Sequence, residues 1–462
     1  MSVASNLPMA SAQSGPRPYV FPPGLQRNLW FYFFKCFRPD NPIGLFQHLS
    51  RTFGDAAHYR LGHRHVVLLN NPEYIREILV VQNQKFVKER TVQRMKMLIG
   101  EGLITSEDPF HRTQRSLAQP AFYRQRISAY GKDIVGKATN VRGRWRAGQT
   151  LDVSLEMMHL ALDVVAKTLF DSDVAAEVDA ISREVNAIMR LYNFLVIVPF
   201  AETLQNYPLP GMRRFRRARA RLDAIVYRMI AEHRADRSDR GDLLSMLLAA
   251  RYDDGSAMSD RQIRDEVMTI FLAGYETIAN ALSWTWYLLS QDPEVERRFH
   301  QEVDAVVAGR EPGFEDVAKL KYTEMVLAES MRLYPPAWAM GRTAIDDFAL
   351  GPYFMPKGTN IFLSQYVTQR DSRYFPDPER FDPERWRPEA KAARPRFSYF
   401  PFGGGARQCI GESFAWMEGI LILATLAQRW RLRLVPGHRV QPQPLITLRP
   451  KYGMQMTIEE RS

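Results

Sequence analysis

Phe402-Gly403-Gly404-Gly405-Ala406-Arg407-Gln408-Cys409-Ile410-Gly411 runs into an apolar segment, Ser413 to Leu426, that reads as a helix. Three glycines ahead of a cysteine allow a tight loop whose backbone can approach a flat ligand closely. A cysteine just before a helix faces unpaired amide N–H groups and the positive end of the helix dipole, and both favour thiolate over thiol. Arg407 adds positive charge suited to a carboxylate on the same ligand. A lone cysteine is as often a buried, inert thiol, so the loop by itself leaves both readings open.

The surrounding chain narrows the choice. It has 462 residues, 45% hydrophobic and 24% charged, which excludes wholesale disorder and allows two or three domains or one large enzyme core. Cys36 is the only other cysteine, and no CxxC pair or His-rich tract supplies four zinc ligands. A reduced, cytoplasmic setting follows. Met1–Pro18 is polar and lacks the apolar core of a secretory signal. The longest apolar runs, Leu29–Phe34 and Phe194–Ala201, fall far short of the ~20 residues of a membrane span, so no transmembrane anchor is expected. The net charge is +11, and its densest basic stretch is Met212–Leu222. No nucleic-acid module pattern accompanies that stretch, which reads as a solvated helix start.

Residues 1–40 read as an N-terminal extension and 41–462 as one domain, mainly α with small β-sheets (α+β). Pro42–Phe53 reads as a helix, Ala57–Leu61 and His65–Leu69 as strands, and Asn71-Pro72 opens another helix. Ser154–Leu169, Ala175–Tyr192 and Met212–Ala235 carry apolar residues at helical spacing. A long helix is expected from Asp260 to Ser290, with Ser259 and Gln262 spaced as a capping box. Tyr322–Leu333 reads as a helix halted by Pro335-Pro336, and Phe348–Ser364 as short hairpin strands.

The cysteine loop resembles the haem-binding segment FxxGxRxCxG of the cytochrome P450 monooxygenases, and matches it at every specified position. Three further stretches resemble family motifs in the family's order: Ala273-Gly274-Tyr275-Glu276-Thr277, Glu329-Ser330-Met331-Arg332 and Phe381-Asp382-Pro383-Glu384-Arg385-Trp386. The likeness runs from about Asn41 to Gly453 and implies the P450 fold of the soluble bacterial type, with haem b between the long central helix and the cysteine-loop helix. It makes Cys409 the axial ligand of the haem iron, with Phe402 and Gly411 beside it, and Glu329, Arg332 and Arg385 a charge network behind the loop. It places Ala273 beside the haem where the helix bulges, and gives Thr277 and Glu276 the delivery of protons to dioxygen. His111, Arg115, Arg342 and Arg407 become candidates to hold the haem propionates.

The resemblance further implies insertion of one oxygen atom from O2 into a hydrophobic small molecule. No flavin or iron–sulfur segment remains in the chain, so electrons are expected from a separate ferredoxin- or flavodoxin-type donor and its reductase. Met95, Met97, Leu98, Phe194, Phe271, Ala273, Trp338, Met340 and Met454 are the expected pocket, largely apolar with adaptable methionines. Arg94 and Lys96 could receive a carboxylate, which puts a fatty acid first and a terpenoid or steroid second. Two alternatives stand beside this: a relative that uses peroxide or rearranges hydroperoxides, and a non-catalytic haem sensor. Turnover with peroxide alone would mark the first, and electron flow without an organic product the second.

Overall fold

The computed structural model describes residues 17–29, 41–172, 181, 183–185, 188, 207, 209–236 and 240–461. Nine of its helices carry the argument: α1 (Pro42–Phe53), α2 (Phe110–Ala118), α3 (Arg124–Arg144), α4 (Val153–Phe170), α5 (Pro210–Asp236), α6 (Asp260–Gln291), α7 (Pro293–Val307), α8 (Lys321–Leu333) and α9 (Glu412–Ala427). At 32 residues α6 is about 48 Å long, so it crosses the whole domain. It packs against α4, α5, α8 and α9. The Ser259 hydroxyl accepts the Gln262 N–H at 3.2 Å. The reciprocal half of the expected capping box is missing, because the Gln262 side chain reaches Glu101 and Glu266 instead.

The main sheet holds β1 (Ala56–Leu61), β2 (Arg64–Leu69), β3 (Phe86–Lys88), β4 (Met340–Ala344) and β5 (Asn360–Leu363), in the spatial order β1-β2-β5-β4-β3. Of the strands expected within Phe348–Ser364, Phe348–Leu350 and Tyr353–Met355 form a hairpin, whereas β5 pairs parallel to β2. A second small ladder, β6 (Pro442–Pro444) with β7 (Leu448–Pro450), lies near α6. Thr150–Asp152, Gln455–Glu460 and Trp430–Leu434 make a third sheet.

Part of the N-terminal stretch is joined to the domain. The Leu25 N–H donates to the His58 carbonyl and the His58 N–H to the Pro23 carbonyl, both at 2.9 Å, and Leu29 is buried. The basic run starts α5, where Arg213, Arg214, Arg216 and Arg217 are exposed while Met212 and Phe215 face the core. Most of Ala175–Tyr192 lies outside the described residues, as does Phe194.

Candidate active site

The cysteine loop is built by close approaches that only glycine permits. A Cβ on Gly405, whose φ is +69°, would fall 1.9 Å from the Leu79 carbonyl oxygen, and one on Gly404 would fall 2.5 Å from the Phe397 ring. The Cys409 N–H donates to the Phe402 carbonyl at 3.0 Å, folding the loop back so that Cys409 precedes α9 with its thiol accessible. The Gly411 N–H and Arg115 act to lower the thiol pKa, as expected of a helix start beside a cation. The surrounding protein mass and Glu412 act the other way, and burial wins: the thiol is pushed up, not down. The direction is opposite to the one the helix start alone would set.

A cluster of cations stands beside the loop. Strand register sets Lys88 of β3 opposite Arg342 of β4. Burial and the neighbouring Arg407 push Lys88 down to about 7 and Arg342 down to about 10. The Arg342 guanidinium donates to its neighbour's carbonyl, Gly341, at 2.9 Å, and no carboxylate lies within ion-pair distance of it among the described residues. Arg407 differs, because it pairs with Glu107 at 2.8 Å and Asp108 at 3.4 Å and donates to the Ser106 carbonyl at 3.0 Å. Arg115 donates to the Gln408 carbonyl at 2.7 Å. His111 is buried 3.3 Å from Asp108, yet burial and the charges on Arg407 and Lys88 hold it down at about 3. A neutral His111 can still offer a ring N–H to a propionate. Lys88 escaped the sequence reading because its partner strand is remote in sequence. Only the alternation of Phe86-Val87-Lys88 hinted at a strand.

Across α6, every residue from Ile263 to Trp286 is buried except Ala273, Gly274 and Thr277. Spaced i, i+1, i+4, they share one face of the helix. The implied bulge is not seen: α6 stays α-helical here, and room comes from missing side-chain bulk. The Thr277 hydroxyl donates to the Ala273 carbonyl at 2.8 Å, leaving its lone pairs to accept. Glu276 does not stand directly behind Thr277. Its carboxylate is buried, accepts from the Arg449 Nε at 2.8 Å and from Thr447, and so ties α6 to β7. A helix turns about 100° per residue, so neighbouring side chains face different partners.

Behind the loop, Arg332 and Glu329 of α8 pair through two hydrogen bonds of 2.8 Å, with neither side chain exposed. Arg332 also donates to the carbonyls of Gln369, Pro378 and Arg380. Glu329 accepts from the Asp382 N–H at 3.0 Å and the Trp386 indole at 2.9 Å, and Arg385 lies 3.3 Å away. Every charge in this group therefore has partners, the condition under which a buried ion pair is tolerated.

The expected pocket residues separate into two sets. Leu98 and Phe271 are buried in the main core, with Met95 and Met97 half-buried against it. Met340 faces the loop, since a Cβ on Gly403 would sit 3.3 Å from its methyl carbon. Trp338 is committed elsewhere, its indole donating to the Leu445 carbonyl at 2.8 Å and its ring 6.1 Å from Phe46. Met454 is fully buried and presents no surface to a ligand. Trp338 is thereby held to α1 and the Leu445 turn, and Met454 belongs to the main core.

The donor set fits haem. A thiol is accessible at the head of α9, the half-buried Arg342 guanidinium without a carboxylate partner suits a propionate, and α6 shows one narrow window without bulk. Fold and site together define a haem-thiolate protein. The cytochrome P450 family model matches residues 22–457. The chain is 41% identical over 397 residues to cyclooctatin synthase of Streptomyces melanosporofaciens, covering 86% of each chain. It is 34% identical to pentalenene oxygenase of Streptomyces avermitilis over 91% of this chain and 93% of that one. Its fold matches the crystal structure of the cytochrome P450DA heme domain with a TM-score of 0.86 at 25% identity, covering 96% of this chain and 99% of that one. The chain belongs to the cytochrome P450 family and is a haem-dependent monooxygenase. No helix among the described residues is long and apolar enough to cross a membrane.

Proposed function

We propose that this monooxygenase oxygenates an uncharged, alicyclic terpenoid, using electrons from a separate ferredoxin- or flavodoxin-type donor and its reductase. The observation that carries the reading is its likeness, across most of the chain, to two proteins named for cyclooctatin and pentalenene. The half-buried Met95 and Met97 suit such a substrate, as flexible apolar side chains adapt to irregular shapes. Lys96, one of the cations considered for a fatty-acid carboxylate, already pairs with Glu101 at 2.9 Å. The terpenoid therefore takes precedence over the long-chain fatty acid.

Cys409 would ligate the iron, and Arg342, Lys88, Arg407, Arg115 and His111 would hold the propionates. When bound, haem b supplies dioxygen activation and transfer of one oxygen atom to a C–H bond or alkene. A cysteine binds metal as its thiolate, so Cys409 would give up its proton on ligation. Thr277 holds its proton on the Ala273 carbonyl and accepts a hydrogen bond at the window, which orients proton delivery there. Glu276 anchors α6 through Arg449.

The test is incubation of the holoenzyme with surrogate ferredoxin, reductase, NADH and isotopically heavy dioxygen, using pentalenene and a saturated fatty acid as paired substrates. One heavy oxygen atom incorporated into pentalenene, with little product from the acid, is expected. Preferential hydroxylation of the acid would overturn the substrate assignment.

A further inference from the structure

Residues 98–108 have little regular structure, and side chains from other elements bond several of their backbone groups. On one side the partners come from consecutive positions of α6. The Arg264 guanidinium donates to the Leu98 carbonyl at 2.8 Å. The Asp265 carboxylate accepts the Glu101 N–H at 2.9 Å, and that of Glu266 accepts the Leu103 N–H at 3.0 Å. All three side chains are buried. Arg264 also bonds Asp223 of α5 at 2.8 Å and Asp265 at 2.8 Å, so a single guanidinium joins α5, α6 and the segment. On the other side Lys88 donates to the carbonyls of Leu103 and Ile104, and Arg407 to that of Ser106.

The approach to α6 is as close as backbone can come. A Cβ on Gly100 would lie 2.1 Å from the Asp265 carboxyl group, and one on Gly102 would lie 2.0 Å from the Thr269 hydroxyl. Thr269 is one helical turn from Ala273, where the window opens. The segment thus spans from the edge of the window to the cation cluster. Apolar residues at these α6 positions would also bury surface against it. Charged groups bonded to particular N–H and C=O groups add a fixed register.

We infer that Arg264, Asp265 and Glu266 form a latch of positioning residues, which fixes the 98–103 segment on α6 and thereby sets the size of ligand admitted beside the window. This rests on the haem-thiolate reading, under which the window faces the substrate. The three latch side chains bond neither the cysteine loop nor a cation of the cluster, and the segment's far end stays held by Lys88 and Arg407, so loosening the latch keeps thiolate ligation and relaxes the limit on ligand size.

The experiment is spectral titration of the full-length holoenzyme with a small azole, imidazole, and a bulky one, clotrimazole. In Glu266→Gln the carbon monoxide spectrum stays as in wild type. Clotrimazole binds tighter relative to imidazole by about fivefold, the change expected from one lost net hydrogen bond. Should that variant not fold, Arg264→Lys carries the same expectation, since an ammonium keeps the charge but cannot bond Asp223, Asp265 and Leu98 in the same fork. An unchanged clotrimazole-to-imidazole ratio in a folded variant, even one with a lowered melting temperature, would overturn the latch and leave the groups as ordinary scaffold. Lack of a thiolate-type carbon monoxide spectrum in wild type would instead overturn the functional reading, and the latch's role with it.

Discussion

Arg342 carries a half-buried positive charge that no carboxylate among the described residues neutralises at bonding distance, while Arg407 beside it is shared by two carboxylates. A dianionic ligand edge should therefore depend more on Arg342. Replacing Arg342 by Met is expected to weaken haem retention about tenfold to a hundredfold, the worth of charge-assisted hydrogen bonds. Haem transfer to excess apomyoglobin measures this, and an unchanged rate would remove Arg342 from the site. Thr277→Ala should keep haem but divert electrons to hydrogen peroxide, read as peroxide formed per NADH consumed. Unchanged coupling would refute the proton role. At this scale the chain was legible where chemistry is written in consecutive letters, as in Cys409 and its glycines. Lys88 was not, because what makes it part of the site is a register with Arg342 across a sheet. The direction of the Cys409 pKa was also hidden: the helix start is local in sequence, but burial is a property of the folded mass.

The spacing of Glu329 and Arg332 fitted either a surface pair worth almost nothing or a buried network. The element around them decides, since α8 is covered by residues 369–386 and neither side chain retains exposure. Glu329→Gln leaves the Arg332 charge without its bidentate partner and should destabilise the fold by about 3–5 kcal/mol. Thermal unfolding of the holoenzyme would show it, and an unaltered midpoint would mean the pair contributes nothing. Helices were read well: α1 begins and ends where its proline and glycine indicate, and α6 differs from expectation by one residue at its end. The sheets were not, because the parallel pairing of β2 with β5 joins segments that no local pattern connects. Glu276 shows the limit of reading side chains along a helix, for its partners Thr447 and Arg449 come from β7 and the turn before it, far along the chain.

For the molecule as a whole, acid stability follows from how α7 docks on the C-terminal strands. Burial, then Arg461, Arg431 and Arg433, push His300 down to about 3. The unfolded chain, with an ordinary histidine near 6.5, binds more protons than the folded one between these values. Stability is thus fully present above about pH 6.5 and is lost as pH falls toward 3. His300→Phe should flatten the fall in melting temperature between about pH 7 and pH 4. An identical fall in both proteins would show that His300 does not govern it. Ligation of the haem iron by Cys409 carries every functional claim made above. Reduced holoenzyme exposed to carbon monoxide tests it directly: the strongly red-shifted Soret band of thiolate-ligated haem is predicted, and its loss in Cys409→Ala. A haem-loaded, folded wild type whose carbon monoxide spectrum lacks that shift would contradict the account.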